Sequence, residues 1–126
     1  ISVVNNIKNK SILVDKTKII VALKNLIDNA NKYGVIGTTQ ICFSQKQKDT
    51  IIEISNKVVN FNNNNLDKIF LPFYRMPNTI NKISGFGLGL TICKKIIEAH
   101  DGIIAVFFNK DIIIFKITLP TKNYVK

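Results

Sequence analysis

Four polar and aromatic side chains recur at helical spacing between residues 25 and 33. At about 100° per residue, Asn25, Asn29, Lys32 and Tyr33 fall on one face of a helix. Amide oxygens suit a hard cation, an ammonium group suits phosphate, and an aromatic ring suits a base. The solvated side of an amphipathic helix would look the same, so this stretch alone leaves a ligand site and a water-facing surface both open.

The only arginine of the chain, Arg75, follows the aromatic-rich stretch Ile69-Phe70-Leu71-Pro72-Phe73-Tyr74. All other basic residues, among 18 Lys and Arg, are lysines. In such a chain an arginine indicates a place where a planar group with five donors is needed, at a phosphate or a carboxylate. The alternative is a surface arginine packed on an aromatic ring.

Glycines alternate in Gly85-Phe86-Gly87-Leu88-Gly89-Leu90, directly before a predicted helix. Alternate glycines let the backbone approach a ligand closely, and the unpaired amides of a helix N-terminus attract phosphate. A dinucleotide-binding turn is disfavoured because a polar loop precedes these glycines and because their spacing is Gly-x-Gly-x-Gly. A P-loop is excluded because the chain has no Gly-Lys-Ser/Thr.

Two predicted helices position the first and third stretches. Apolar residues at three- and four-residue spacing predict one helix over 16–33, begun at Asp15, and another over 88–100. Their expected apolar stripes are Ile19, Leu23, Leu26, Ile27 and Ala30 in the first, and Leu88, Ile92, Ile96 and Ala99 in the second.

Short strands are predicted on both sides of these helices. Alternating and β-branched residues predict strands over 2–6, 11–14, 38–44, 50–55, 103–108 and 111–119, with hairpin turns at 45–49 and at Asn109-Lys110. Residues 66–70 are predicted to form a short helical turn, and the polar stretch 76–84 an exposed, mobile loop. Two helices and antiparallel strands without regular βαβ alternation predict a single α+β layered sandwich over 1–126.

Composition excludes some functions and leaves others open. A length of 126 residues fits one domain, and the apolar runs are too short to span a membrane. The net charge of +10 would attract a nucleotide or a nucleic acid. However, the lysines are scattered without interleaved aromatics in a chain rich in Asn and Ile, a bias typical of an AT-rich genome. Nucleic-acid binding is therefore not predicted.

The cysteines and the start of the chain indicate where the protein works. Cys42 and Cys93 lie in apolar stretches without a C-x-x-C pattern, which predicts buried free thiols in a reducing cytosol. The chain begins at Ile1 with neither an initiator Met nor a signal peptide, so we expect a piece of a longer protein.

Taken in order, the three stretches resemble the catalytic domain of bacterial sensor histidine kinases. Residues 25–33 match its asparagine box, 69–75 its phenylalanine box and 85–90 its second glycine box, and the resemblance extends over about 11–120. It implies a Bergerat fold, a two-layer α/β sandwich in which about three helices cover a mixed five-stranded sheet. It also implies that ATP lies between the asparagine-box helix and a flexible lid that includes 76–84.

The resemblance also implies the cofactors, ATP and Mg²⁺, and the residues that contact them. Asn29 would coordinate Mg²⁺, Lys32 would contact phosphate, and Tyr33 would pack by the adenine or sugar. Expected catalytic residues are Asn25, Lys32 and Arg75. Expected ATP contacts are Asn25, Asn29, Lys32, Tyr33, Asn56, Phe70, Arg75, Gly85, Phe86, Gly87, Leu88, Gly89 and Leu90.

One box departs from the family pattern. Counting back from Phe70, the first glycine box Asp-x-Gly-x-Gly falls on Asn56, Val58 and Asn60. The carbonyl of Asn56 can still accept from the adenine amine, without the charge assistance of a carboxylate. Val58 would resist a left-handed backbone, so nucleotide affinity is expected to be reduced.

The implied function is transfer of the terminal phosphate of Mg-ATP to a histidine on the dimerisation domain of the same kinase, which then serves a response regulator. The full-length protein is expected to be homodimeric and membrane-anchored, with this domain in the cytoplasm. His100, the only histidine, is expected to have a structural role at a helix end before Gly102, so the isolated domain should not phosphorylate itself.

Two rival functions remain open. An ATPase of the same fold would carry a glutamate where this chain has Asn25, and an amide cannot act as a general base. A degenerate, non-catalytic nucleotide-binding module is the second rival, and the altered first glycine box supports it.

Overall fold

In the computed structural model, the described residues are 2–5, 14–59, 66, 68–71 and 89–120. In chain order they form β1 Ser2–Asn5, α1 Lys16–Tyr33, β2 Gln40–Lys46, β3 Asp49–Lys57, α2 Gly89–Ala99, β4 Ile103–Asn109 and β5 Ile112–Pro120. The strands make one sheet in the order β1-β2-β3-β5-β4. Strand β1 pairs with β2 in parallel and the other pairs are antiparallel, which confirms the predicted mixed five-stranded α+β fold.

The core lies between the sheet and the two helices. Buried and partly exposed residues alternate along β3 and β5, as expected of strands with one covered face. The largest fully buried side chains come from both layers: Leu26, Ile54, Ile97, Ile117, Leu119 and Cys93. Neither helix within the described ranges has the length and apolar content needed to cross a membrane.

Helix α1 begins and ends as its sequence indicates. The Oδ1 atom of Asp15 accepts a hydrogen bond from Lys18 N at 3.2 Å, which caps the first turn. The helix ends at Gly34, whose N–H donates to Ala30 O at 2.8 Å. Ile19, Leu26 and Ala30 of the predicted stripe are buried, together with Ala22. The other two predicted members, Leu23 and Ile27, are partly buried beside them.

The predicted apolar stripe of α2 was wrong at two of its members: Ile96 packs against the core as expected and Leu88 lies outside the described residues, but Ile92 and Ala99 are not buried. Cys93 and Ile97 are the buried residues of this helix, whereas Ile92 is 42% exposed and Ala99 is exposed. The apolar residues of this helix span about half of its circumference, so two stripes shifted by one position both fit within that face. Packing against α1 and β4 selects between them, which helical periodicity cannot do.

Two local predictions hold and others needed correction. The described part holds two helices, in agreement with the implied fold, and 3₁₀ geometry at Leu66 and Lys68 agrees with the helical turn expected over 66–70. Of the strand expected over 11–14, only Val14 is described, and it is not in a strand. The second hairpin turns at Lys110 and Asp111, one residue later than predicted, with Lys110 at φ 59°. Cys42 is only half-buried, so the predicted burial of this thiol is met in part.

His100 joins the two helices at one end of their layer. Its Nε2 accepts from Asp15 N at 2.9 Å, and its Nδ1 lies 2.8 Å from Ile96 O. A backbone N–H can only donate, so Nε2 is the acceptor, and Nδ1 carries the proton that it donates to Ile96. The predicted structural role of His100 is confirmed, and its contact with the start of α1 was not predicted.

Candidate functional site

The predicted ligand face of α1 is partly buried. Asn25, Asn29 and Tyr33 are half-buried, whereas Lys32 is exposed in the last turn. A Cβ atom placed on Gly89 would lie 3.7 Å from both Cγ and Oδ1 of Asn25. The side chain of Asn25 therefore lies next to the first residue of α2, and the face is more than a solvated surface.

The start of α2 presents backbone donors beside this amide. The first four N–H groups of a helix have no carbonyl partner within it, and the positive end of the helix dipole lies there. Gly89 and Leu90, predicted as part of the second glycine box, are the first two residues of α2. Backbone amides next to Asn25 make this end of the helix layer suitable for phosphate oxygens.

Asn56 lies beside Gly34 at the C-terminal end of α1. It is 3% exposed in β3, and its Nδ2 donates to Lys57 O at 3.0 Å. A Cβ atom on Gly34 would overlap the amide nitrogen of Asn56. An asparagine side chain accepts only through its carbonyl oxygen, so Oδ1 is the atom that Asn56 can offer to a ligand donor.

The loop after α1 is tied to the end of β3. Val35 N donates to Lys57 O at 2.8 Å, and Lys57 N donates to the hydroxyl of Thr38 at 3.0 Å. That hydroxyl in turn donates to Val35 O at 2.7 Å. These bonds fix the position of Asn56 relative to the last turn of α1.

The altered first glycine box has a structural consequence at Val58. Its side chain packs against the core, and its N–H donates to Asp111 O at 2.9 Å. Val58 is not among the described residues with positive φ, so it avoids the left-handed backbone open to a glycine. Asn60, the other replaced glycine, lies outside the described residues.

Phe70 is held between the sheet and α2. Its ring meets that of Phe115 edge-on, with centroids 6.1 Å apart, and Lys94 Nζ lies 5.7 Å from its centroid. Its carbonyl accepts from the Thr91 hydroxyl at 2.8 Å. The structure thus places Phe70 as an anchor of α2, and its predicted contact with ATP stays a prediction.

The remaining predicted site residues lie outside the described part of the chain: Arg75, Gly85, Phe86, Gly87 and Leu88. Three described residues that shape the site were missed, namely Gly34, Thr38 and Thr91. Gly34 carried a usable signal, since a glycine directly after a helical pattern indicates a helix end. The two threonines carried none, because their partners are distant in sequence.

The protein residues fit a magnesium ion that arrives with a nucleotide. Within the described ranges, no three His, Cys, Asp or Glu side chains gather as a metal cluster. Mg²⁺ usually takes one or two protein oxygens together with phosphate oxygens and water. The single half-buried amide of Asn29 matches that requirement.

Cys93, on the buried face of α2, is the described group whose pKa clearly shifts. Burial raises the pKa of its thiol to about 12, because the low-polarity core disfavours the thiolate. Cys93 is therefore a packing residue and not a nucleophile at neutral pH.

Known proteins share this sequence pattern. A family model described as histidine kinase-, DNA gyrase B- and HSP90-like ATPase matches residues 14–123. The chain is 35% identical over 94 residues to the adaptive-response sensory kinase SasA of Prochlorococcus marinus, and 39% over 99 residues to the sensor protein KdpD of Clostridium acetobutylicum. These alignments cover 73% and 76% of this chain but 25% and 11% of the relatives, so the chain spans at most a quarter of their length.

Solved structures agree with the fold. The catalytic domain of histidine kinase ThkA matches with a TM-score of 0.76 at 28% identity, over 95% of this chain and 78% of that chain. The mycobacterial sensor histidine kinase MprB matches with a TM-score of 0.83 at 20% identity, over 98% and 85%. The chain belongs to the family of histidine kinase-, DNA gyrase B- and HSP90-like ATPases, as a catalytic ATP-binding domain of the two-component sensor kinase type. The resemblance inferred from the sequence is confirmed.

Proposed function

We propose that this domain binds Mg-ATP and transfers the terminal phosphate to a histidine on the dimerisation domain of the same kinase. The observation that carries the proposal is the convergence of three predicted elements around the C-terminal half of α1. Asn25 contacts the first residue of α2, and Asn56 of β3 lies against Gly34. Family membership supports ATP as the ligand of this arrangement.

The family resemblance gives each described residue a role in this proposal. Asn29 holds the magnesium ion, and Lys32 neutralises phosphate charge from the last turn of α1. The amides of Gly89 and Leu90 hold phosphate oxygens, and Asn56 Oδ1 accepts from the adenine amine. Bound Mg²⁺ supplies charge neutralisation at the phosphates, and phosphoryl transfer depends chiefly on such positioning and charge. Arg75 completes the set near the terminal phosphate.

The relatives support the wider setting of the proposal. SasA is named a sensory kinase, ShkA was solved in complex with AMPPNP, and ThkA with the response regulator TrrA. We extend this to a response regulator partner, a homodimeric membrane-anchored full-length protein and a cytoplasmic position for this domain.

A degenerate binding module is the second candidate, because Val58 packs into the core where the family has a glycine. It would bind nucleotide weakly or not at all and transfer no phosphate. An ATPase of the same fold is disfavoured by the amide at Asn25.

Titration with ATP, with and without magnesium, tests the proposal. The parent should bind ATP more tightly with magnesium, and Asn29→Ala should abolish that magnesium dependence while the melting temperature stays nearly unchanged. Asn31→Ala, an exposed asparagine on the same helix, is the matched control and should bind as the parent does. Equal magnesium-dependent affinity in Asn29→Ala would contradict the assignment.

Phosphate transfer is tested with the dimerisation domain supplied in trans. The domain should label that partner from radioactive ATP, and Arg75→Ala should slow labelling more than it weakens ATP binding. Binding without any labelling would favour the degenerate module.

A further inference from the structure

A single side-chain hydrogen bond connects the first turn of α2 to the phenylalanine box. The hydroxyl of Thr91 donates to Phe70 O at 2.8 Å across 21 residues of sequence, in a partly buried position. Thr91 is the third residue of α2 and directly follows Gly89 and Leu90, whose amides are the proposed phosphate donors. The hydroxyl thus acts where helices ordinarily fray, in the first turn.

The acceptor of this bond is itself well fixed. Phe70 is wedged between the Phe115 ring of the central part of the sheet and Lys94, one turn further along α2. A hydrogen bond to a mobile carbonyl would restrain the start of α2 only weakly. A bond to this carbonyl ties the start of α2 to the sheet.

The other side of the same turn faces α1. Gly89 approaches Asn25 closely enough that a Cβ atom would be in van der Waals contact with its amide. The orientation of the first turn of α2 therefore sets the distance between Asn25 and the backbone donors of Gly89 and Leu90.

We propose that Thr91 is a positioning residue of the nucleotide site. Its hydroxyl holds the first turn of α2 on Phe70 and so keeps the amides of Gly89 and Leu90 beside Asn25, where they meet the phosphates. The inference rests on the proposed function for the identity of the ligand. Its structural half, the tethering of α2, is independent of that function.

The test separates phosphate binding from base binding. Thr91→Val keeps the side-chain shape and removes the hydroxyl, whereas Thr91→Ser keeps the hydroxyl. Titrated with Mg-ATP, Thr91→Val should bind roughly three- to tenfold more weakly than the parent, the equivalent of one lost hydrogen bond. Affinity for adenosine should change by less than about twofold, because the base end at Asn56 does not depend on this bond. Thr91→Ser should restore parent affinity.

Thr17→Val provides the matched control, since Thr17 is an exposed residue in the first turn of the other helix. It should leave both affinities unchanged. The proposal is overturned if Thr91→Val binds Mg-ATP as the parent does, or if it loses Mg-ATP and adenosine affinity by the same factor.

Hydrogen exchange tests the bond between Thr91 and Phe70 independently of nucleotide binding. The amides of Cys93 and Lys94 close onto the carbonyls of the first turn of α2. They should exchange faster in Thr91→Val than in Thr91→Ser, without any nucleotide present. If Thr91→Val is too unstable to study, Thr91→Ala removes the hydroxyl with a better helix former. A parent that binds no Mg-ATP defeats the proposed function, whereas equal exchange in the variants defeats the tether.

Discussion

The base end and the phosphate end of the site are held by different kinds of contact. At the proposed base end, backbone bonds join α1, its following loop and β3, through Gly34 to Ala30 and Val35 to Lys57, and the Thr38 hydroxyl adds one side-chain link to them. At the phosphate end, a threonine hydroxyl and the packing around Phe70 hold α2. A backbone network cannot be removed by changing one side chain, whereas a side-chain tether can. We therefore expect the base end to keep its backbone shape when one side chain is replaced, and to leave no room for a larger side chain. At the phosphate end, we expect removal of a single hydroxyl to change binding.

The largest effect on stability is expected at Gly34. In Gly34→Ala the new methyl would lie 2.6 Å from Ala30 O and would overlap the amide of Asn56. The backbone carbonyl cannot move without breaking the end of α1, so we expect a loss of about 3 kcal/mol in the free energy of unfolding. Urea denaturation of the parent and of Gly34→Ala measures this loss.

Gly37→Ala is the control for Gly34. Gly37 has a φ of 82° with no atom within 4 Å of an added Cβ, so only backbone strain acts there, about 1 kcal/mol. Adding Asn56→Ala to Gly34→Ala should recover part of the loss by removing one of the two clashes. No recovery would mean that Asn56 does not crowd Gly34.

A smaller effect, on binding, is expected at Asn56. Asn56→Leu should weaken ATP and adenosine alike by about 1 kcal/mol, because the adenine amine loses its acceptor. Asn56→Asp offers a charged acceptor and should tighten both several-fold, with better discrimination against GTP. The structure adds a cost to that gain, since the Nδ2 bond to Lys57 O is replaced by two facing oxygens.

Titration with ATP, adenosine and GTP tests both Asn56 variants, with urea denaturation in parallel. Compared with the parent, Asn56→Asp should bind ATP more tightly and should have a lower free energy of unfolding. Asn56→Leu with parent affinity would show that the base is read elsewhere.

The last effect concerns the thiol of Cys93 and is confined to alkaline solution, because stability does not depend on this thiol's ionisation near neutral pH. In the folded domain its pKa is raised from 9.0 to about 12, whereas the unfolded chain ionises near the ordinary value. The thiol's contribution to stability is thus complete below about pH 9 and is lost as the pH rises toward 12. Stability of the parent should fall with pH in that window more steeply than that of Cys93→Ala. Identical slopes would show that the thiol is not desolvated.

The sequence allowed α1 to be predicted far better than α2. In the C-terminal half of α1 the apolar residues are separated by polar ones, so the period alone identifies Leu26 and Ala30 as buried. In α2 the neighbours Ile92 and Cys93, and again Ile96 and Ile97, are all apolar. Which of each pair is buried depends on how the helix rotates against the sheet, which no local pattern contains.

The site, too, has residues that the sequence predicts and contacts that it does not. The identities of Asn25, Asn29 and Asn56 could be inferred from spacing and resemblance, because they belong to stretches with a recognisable order. The contact of Gly34 with Asn56 and the bond from Thr91 to Phe70 join residues that are remote in the chain. Tertiary packing creates such contacts, so they become visible only once the sheet and helices are assembled.

The bonds of His100 bear on where phosphate can go. An imidazole takes up a phosphoryl group through the lone pair of an unprotonated nitrogen. In this domain that lone pair, on Nε2, is already engaged by the N–H of Asp15, and Nδ1 carries the proton given to Ile96. The chain has no other histidine. The helix-joining contact therefore also leaves the domain without a free histidine acceptor of its own, as the proposed transfer of phosphate to a partner domain requires.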